Sequence, residues 1–303
     1  MKVVIAGSSG FIGAALIARL KDEGHEVVRL VRRTTSSPDE VSWSPAERML
    51  GADALAGADA VVNLAGAGIG DHRWTASYKR KIQRSRVDAT TTIAHAVADG
   101  IASGGPKVLV NASAIGFYGD RGDEHLTEQS PAGDGFLPDV CRAWEGATQA
   151  AEEAGARVCH LRTGLVLGPK AGLLGRMVPL FKAGLGGKLG SGKQWMSWIS
   201  LADEVSAIRF LLDHDVAGPV NLTGPTPVRN GEFTQVLGDL LNRPTKVDAP
   251  KIGLRVVLGE FATDVVSSAD VAPAVLTGAG FAHEHADVAS ALRWALGVSH
   301  VTA

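Results

Sequence analysis

The chain has 303 residues, 45 % of them hydrophobic and 20 % charged, which is the make-up of a globular protein and excludes disorder as its main state. Thirty Lys and Arg against 32 Asp and Glu leave a net charge of −2, too even for a protein that grips nucleic acid through its overall field. The length allows one large domain or two of about 150 residues.

Val3 to Ala6 is a short, largely β-branched run that reads as a strand buried on both faces. Gly7-Ser8-Ser9-Gly10-Phe11-Ile12-Gly13 follows at once, and Ile12, Leu16 and Leu20 then recur at helical spacing until Gly24 stops the helix. A G-x-x-G-x-x-G spacing between strand and helix gives a tight turn, close approach of backbone to a pyrophosphate, and close helix–strand packing. Gly7, Gly10, Phe11, Ile12 and Gly13 are therefore candidate dinucleotide contacts; the plainer alternative is a β–α turn that needs glycine for its shape.

His25 to Val31 reads as the second strand. At its end an NAD protein usually carries an acid for the ribose hydroxyls, and this chain has Arg32-Arg33. A carboxylate repels a 2′-phosphate, whereas a guanidinium binds it bidentately, so the pair points to NADP. A solvated loop entrance is the other reading.

Ala60 to Asn63 is the third strand, and Tyr78 to Asp99 a long helix with Ile82, Ala89, Ile93 and Val97 on one stripe. Arg86 lies on that apolar stripe, where a charge either snorkels to the rim or meets an anion, here a cofactor phosphate or ribose. Lys79, Arg80, Lys81, Arg84 and Arg86 form a basic run without interleaved aromatics, which suits a solvated face better than nucleic acid. Lys107 to Ala112 is a fourth strand, Phe136 to Ala154 a helix, and Arg157 to Leu161 a fifth strand. This rhythm predicts an α/β fold: a doubly wound parallel Rossmann sheet with right-handed crossovers.

Past Gly168 the pattern loosens into glycine-rich segments around a helix from Leu173 to Ala183. A helix from Leu201 to Leu212, a strand from Val220 to Leu222, a helix from Arg229 to near Leu241 and a last helix with Val288, Leu292 and Leu296 follow. The expected division is a nucleotide-binding domain of residues 1–168 plus about 197–225, with a smaller, discontinuous C-terminal lobe of about 169–196 and 226–303.

Two cysteines, Cys141 and Cys159, are too few for a disulfide framework and imply a reduced compartment. The apolar start imitates a short signal peptide until Ser8-Ser9-Gly10 interrupts it, and no stretch reaches the ~18 uncharged apolar residues of a membrane span. A cytoplasmic protein without membrane or nucleic-acid partners is expected; monomer and dimer stay open. No His or Cys spacing suggests a metal site.

With these residues in view, the chain resembles the extended and atypical short-chain dehydrogenase/reductases over nearly its whole length. Asn63-Leu64-Ala65-Gly66 is similar to their N-x-A-G element, and Ala112 to Gly119 to the segment after strand four that carries the catalytic serine, Ser113 here. Arg162 to Gly168 and Trp198 to Asp203 are similar to two further segments of the group. Arg73-Trp74, Val140 to Glu145, and the stretch from Val271-Ala272-Pro273 to Gly280-Phe281 are similar to epimerase-family proteins of unassigned substrate. The resemblance implies that Arg32, Leu64, Ala65, Gly66, Arg86 and Val166 touch NADP. It also exposes a departure: the positions of the Tyr-x-x-x-Lys dyad hold Leu137 and Cys141, which read as part of a core stripe with Val140, Trp144 and Thr148.

The proton must then come from elsewhere. Tyr118 is the first candidate general acid, with Ser113 donating to a substrate carbonyl; a structural role for Tyr118 is the alternative. His72 is a second candidate, and Asp120, Asp123, Glu124 and Glu128 are carboxylates expected to face solvent. Three functions fit: an NADP-dependent oxidoreductase acting on a small molecule, a sugar-nucleotide epimerase that retains its cofactor, or a non-catalytic NADP-binding regulator, for example in cell division.

Overall fold

The computed structural model describes residues 1–298. Strand β1 (Lys2–Ala6) leads into helix α1 (Phe11–Asp22), and β2 (Glu26–Val31), β3 (Glu40–Ser44), β4 (Met49–Leu50) and β5 (Ala60–Asn63) follow. Helix α2 (Ala76–Ile101) crosses to β6 (Val108–Ala114); then come β7 (His125–Leu126), α3 (Phe136–Gly146), α4 (Gln149–Glu153), β8 (Arg157–Thr163) and β9 (Leu165–Leu167). The rest comprises α5 (Gly172–Lys182), β10 (Trp195–Met196), β11 (Trp198–Ser200), α6 (Leu201–Asp213), β12 (Gly218–Leu222), β13 (Val228–Arg229), α7 (Asn230–Leu241), α8 (Lys251–Leu258), α9 (Ala262–Val265), β14 (Asp270–Val271), α10 (Ala274–Gly278) and α11 (Val288–Leu296).

Eight strands form one sheet in the order β12-β8-β6-β5-β1-β2-β3-β4, and every pairing is parallel except β3 with β4. β1 sits in the middle because its side chains are apolar on both faces. Val3 and Ile5 join Leu16, Leu20, Val205 and Ile208 beneath α1 and α6. Val4 and Ala6 join Ala89, Ile93 and Val97 beneath α2. Burying both faces produces the continuous apolar run seen in the sequence. The fold is therefore the expected doubly wound Rossmann sheet.

A separate core holds α5, α7 and α11 together through Leu174, Phe181, Phe233, Leu237 and Leu292. The expected C-terminal lobe runs to residue 303, and its last five residues lie outside the described ones. Among the described residues no helix is long and apolar enough to cross a membrane.

Two sequence expectations need correction. The edge strands β3 and β4 were not foreseen, because β3 buries only Glu40 and Trp43 and lacks a clean alternation. The helix expected from Phe136 to Ala154 is two helices. Thr148, fully buried, donates its hydroxyl to the Glu145 carbonyl at 2.7 Å, and the chain tightens at Ala147-Thr148 instead of continuing.

Candidate functional site

The glycine turn is built around what a side chain would strike. Gly7 has φ +79°, and a Cβ there would lie 2.5 Å from the Leu64 carbonyl oxygen; at Gly13 it would lie 2.3 Å from the Gly7 oxygen. Gly10 is different, since its Cβ would meet only the Gly7 oxygen at 3.2 Å. Gly10 starts α1 without any side-chain cap, and the first turn carries no acid. The amide groups of that turn therefore keep their positive end for an external anion.

A cleft of about 1210 Å³ runs past this turn. Arg32, Trp43 and Pro45 line one end, Gly7, Gly10, Leu64, Ala65 and Gly66 the middle, and Gly68, Asp71, His72 and Tyr78 the other end. Helix α2 fixes the direction. Thr92 donates to the Pro45 carbonyl at 3.4 Å, whereas the Tyr78 hydroxyl donates to the Gly68 carbonyl near the start of the same helix. From Asp88 to Tyr78 the helix advances about 15 Å at its usual rise. The long, narrow shape and anion-seeking turn suit a dinucleotide pyrophosphate.

The two arginines after β2 separate. Arg33 grips Glu40 through both nitrogens, at 2.6 and 2.8 Å, and also donates to the Thr34 carbonyl and Ser36. Arg33 lines the cleft beside Arg32, with its fork occupied by Glu40. Glu40 is also 3.1 Å from Arg29, and the Arg33 and Ser36 hydrogen bonds bring its carboxyl down to about 2. Arg32 is exposed on the cleft and, among the described residues, has neither a hydrogen-bond nor an ion-pair partner.

Arg86 lies behind Gly66, where a Cβ would come within 3.2 Å of its guanidinium carbon. One nitrogen donates to the carbonyls of Ala67 and Ile82, at 2.9 and 3.0 Å, and the group lies 4.8 Å from the Trp144 ring. Burial lowers its pKa, with no acid beside it among the described residues to restore it.

His72 lines the cleft, but neither Tyr118 nor Ser113 is turned toward it. Tyr118 is fully buried; its hydroxyl donates to Asn221 at 2.7 Å and accepts from Arg162 at 3.1 Å. Arg162 forks onto Glu145 at 2.9 Å, and Ser113 gives its one hydroxyl proton to the same carboxylate at 2.7 Å. This network ties the tips of β6, β8 and β12 together. Within it, Tyr118 and Ser113 are engaged by Asn221, Arg162 and Glu145. Glu128, expected in solvent, is buried and accepts the backbone amides of Asn221 and Val275. Cys141 is buried, its thiol pushed up to about 12 by burial, and is no nucleophile.

Phe11, Ile12 and Val166 pack against the core below α1, and Phe11 also closes on Gly168 and Gly172. Sequence reasoning missed the cleft positions of Trp43, Pro45, Lys81, Ser85, Asp88 and Tyr78. Tyr78 and Ser85 follow the helical repeat that marked Ile82, and that repeat was the available signal.

A family model described as the NAD dependent epimerase/dehydratase family matches residues 3–223, and one for a domain of unknown function (DUF1731) matches residues 249–295. An epimerase family protein of Mycobacterium leprae is 46 % identical, the match covering 97 % of this chain and 95 % of that protein. The crystal structure of human epimerase family protein SDR39U1 (isoform 2) with NADPH superposes with a TM-score of 0.90 at 30 % identity, covering 98 % of this chain and 99 % of that one. A nucleoside-diphosphate sugar epimerase from Corynebacterium glutamicum gives a TM-score of 0.82 at 37 % identity, covering 100 % of this chain and 59 % of that one.

Proposed function

The chain belongs to the NAD dependent epimerase/dehydratase family, and from that membership we propose that it is an NADPH-dependent oxidoreductase of the short-chain dehydrogenase/reductase type that reduces a small carbonyl compound. Arg32 carries the reading: it is the unengaged guanidinium at the cleft end, while the nearby carboxylate of Glu40 is neutralised by Arg29 and Arg33. A 2′-phosphate arriving there meets the Arg32 guanidinium, and the Glu40 carboxylate beside it is already paired. The first turn of α1 is suited to the pyrophosphate, and Arg86 to a ribose or phosphate oxygen beyond it. The human relative crystallised with NADPH supports the same cofactor. When bound, NADPH supplies a hydride.

Titration of the protein with NADPH and NADH, followed by dinucleotide fluorescence, tests this. A charge-assisted fork contributes about 1.5–3 kcal/mol, so Arg32→Asp is expected to weaken NADPH binding about 10- to 100-fold and leave NADH nearly unchanged. An unaltered ratio of the two dissociation constants overturns the NADPH assignment.

A second reading, epimerisation of a nucleotide sugar with a retained cofactor, draws on a separate hollow of about 470 Å³ lined by Lys193, Asp120 and the Arg229–Asp123 pair. Cofactor that stays bound through purification, with no net oxidation on adding a nucleotide sugar, selects it.

A further inference from the structure

A carbonyl reduced in this cleft needs a proton, and the side chains able to give one are few. The chain has two tyrosines and two cysteines. Tyr118, Cys141 and Cys159 are sealed in the interior. Asp71, His72, Tyr78, Lys81 and Asp88 line the cleft. Asp88 sits toward the Arg32 end, ten positions along α2 from Tyr78, Asp71 and His72 are exposed on a loop, and Lys81 is exposed on α2. Tyr78 alone is held firmly. It stands in the first turn of α2, where Thr75 caps its amide at 3.2 Å, and its ring packs with Trp74, Ile82 and Val140. The His72 ring meets it edge-on at 5.0 Å, and its hydroxyl is fixed on the Gly68 carbonyl.

The charges around that phenol are Asp71 on the loop and, on α2, Lys81, 5.9 Å from the ring, and Arg86. Lys79 is turned away onto Glu260 at 2.6 Å. Arg86 donates to the Ala67 carbonyl at 2.9 Å, next to the Gly68 carbonyl that holds the phenol; burial and Asp71 raise the Tyr78 pKa on balance, and Arg86 opposes them.

We propose that Tyr78 is the proton donor to the substrate carbonyl in this cleft and that Arg86 is the positioning cation that steadies its phenolate. The assignment rests on the reductase reading given above. The carbonyl carbon takes the hydride and the carbonyl oxygen takes the phenolic proton, so the C=O π bond is exchanged for a C–H and an O–H bond. In the free protein that proton points at Gly68, and rotation of the hydroxyl about its C–O bond re-aims it. The phenolate is left beside Gly68, next to the Ala67 carbonyl that Arg86 holds, and recovers a proton from water.

The test uses the full chain as wild type, Tyr78→Phe and Arg86→Met. NADPH binding is read by fluorescence, phenol ionisation by the ultraviolet absorbance of tyrosinate in an alkaline titration, and turnover by NADPH consumption with phenanthrenequinone as probe carbonyl. Tyr78→Phe is expected to keep NADPH affinity within about twofold, remove the tyrosinate step that appears before unfolding, and cut kcat about 100-fold or more. Arg86→Met is expected to move that step upward by about one pH unit. Turnover that survives Tyr78→Phe, or a phenol step indifferent to Arg86→Met, overturns the assignment alone. Wild-type protein that binds no NADPH, or binds it and consumes none, overturns the reductase reading and the assignment with it.

Discussion

Glu204 illustrates what burial does to a single group. It is fully buried at the start of α6, with one carboxyl oxygen accepting from Thr163 at 2.8 Å and the other without a partner among the described residues. Burial pushes its carboxyl up to about 8 from an ordinary value of 4.5. Folded protein therefore holds a proton that unfolded protein releases between those values. Its contribution to stability is fully present below pH 4.5 and is lost as the pH rises through about 8. In that window the slope is about 1.4 kcal/mol per pH unit. Thermal melting followed from pH 5 to 9 is expected to show this decline in wild type and a flatter curve in Glu204→Gln, whose amide keeps the shape without the ionisation. Parallel curves for the two proteins rule the account out. The same scale shows where sequence reading stopped. Arg32-Arg33 was visible as a pair, but Glu40, which claims Arg33, lies in a strand that the pattern did not reveal. Ser113 and Tyr118 were visible at a strand tip, but Glu145, Arg162 and Asn221, which engage them, are brought there by three other elements.

Between strand and helix, the three turn glycines differ in what they protect. Alanine at Gly13 would press into the Gly7 carbonyl at 2.3 Å, and backbone cannot yield that much, so Gly13→Ala is expected to lower folding stability. At Gly10 the nearest atom stands 3.2 Å away, so a side chain is accommodated with a small shift but projects over the amides that would meet a pyrophosphate. Gly10→Val is thus expected to melt near wild type and to lose NADPH binding, as read by calorimetry and dinucleotide fluorescence. Full binding by Gly10→Val removes the turn from the site. The sequence made this element legible because one segment shows both a strand period and a helix period, with glycines at the junction. β1, α1, α2 and the parallel pairing of the sheet were legible for the same reason. The break between α3 and α4 was not, because Thr148 ends a helix by a backbone hydrogen bond that the apolar stripe on either side conceals. Tyr78 was read as the start of a helix and no more, since its meaning depends on Gly68 across the cleft and on Arg86 two turns along.

Across the whole molecule, the mouth of the cleft at its Tyr78 end is where the C-terminal segment meets α2. Arg73 donates to the carbonyls of Val256 and Val257 at the end of α8, Lys79 pairs with Glu260 at 2.6 Å, and the Phe261 ring lies 5.2 Å from Trp74, which itself meets Phe136 at 4.9 Å. The outer face of α8 contributes nothing to this hold, for Ile252, Val256 and Val257 are all exposed. The hydrogen bonds, ion pair and ring contact that join the segment to the Tyr78 end thus lie on its inner edge, where Ala262 is also buried. Exposed ion pairs contribute at most about 1 kcal/mol, so the Trp74–Phe261 contact should carry most of the attachment. Phe261→Ala is expected to raise amide hydrogen exchange across residues 251–266 about tenfold while β1, β5 and β6 keep their protection, because opening this segment leaves the sheet core intact. Lys79→Ala is expected to change exchange there by less than about fivefold. If Phe261→Ala leaves the segment as protected as in wild type, the ring is not the anchor. If protection falls in the sheet as well, the segment is part of the cooperative core and not a strap over the cleft.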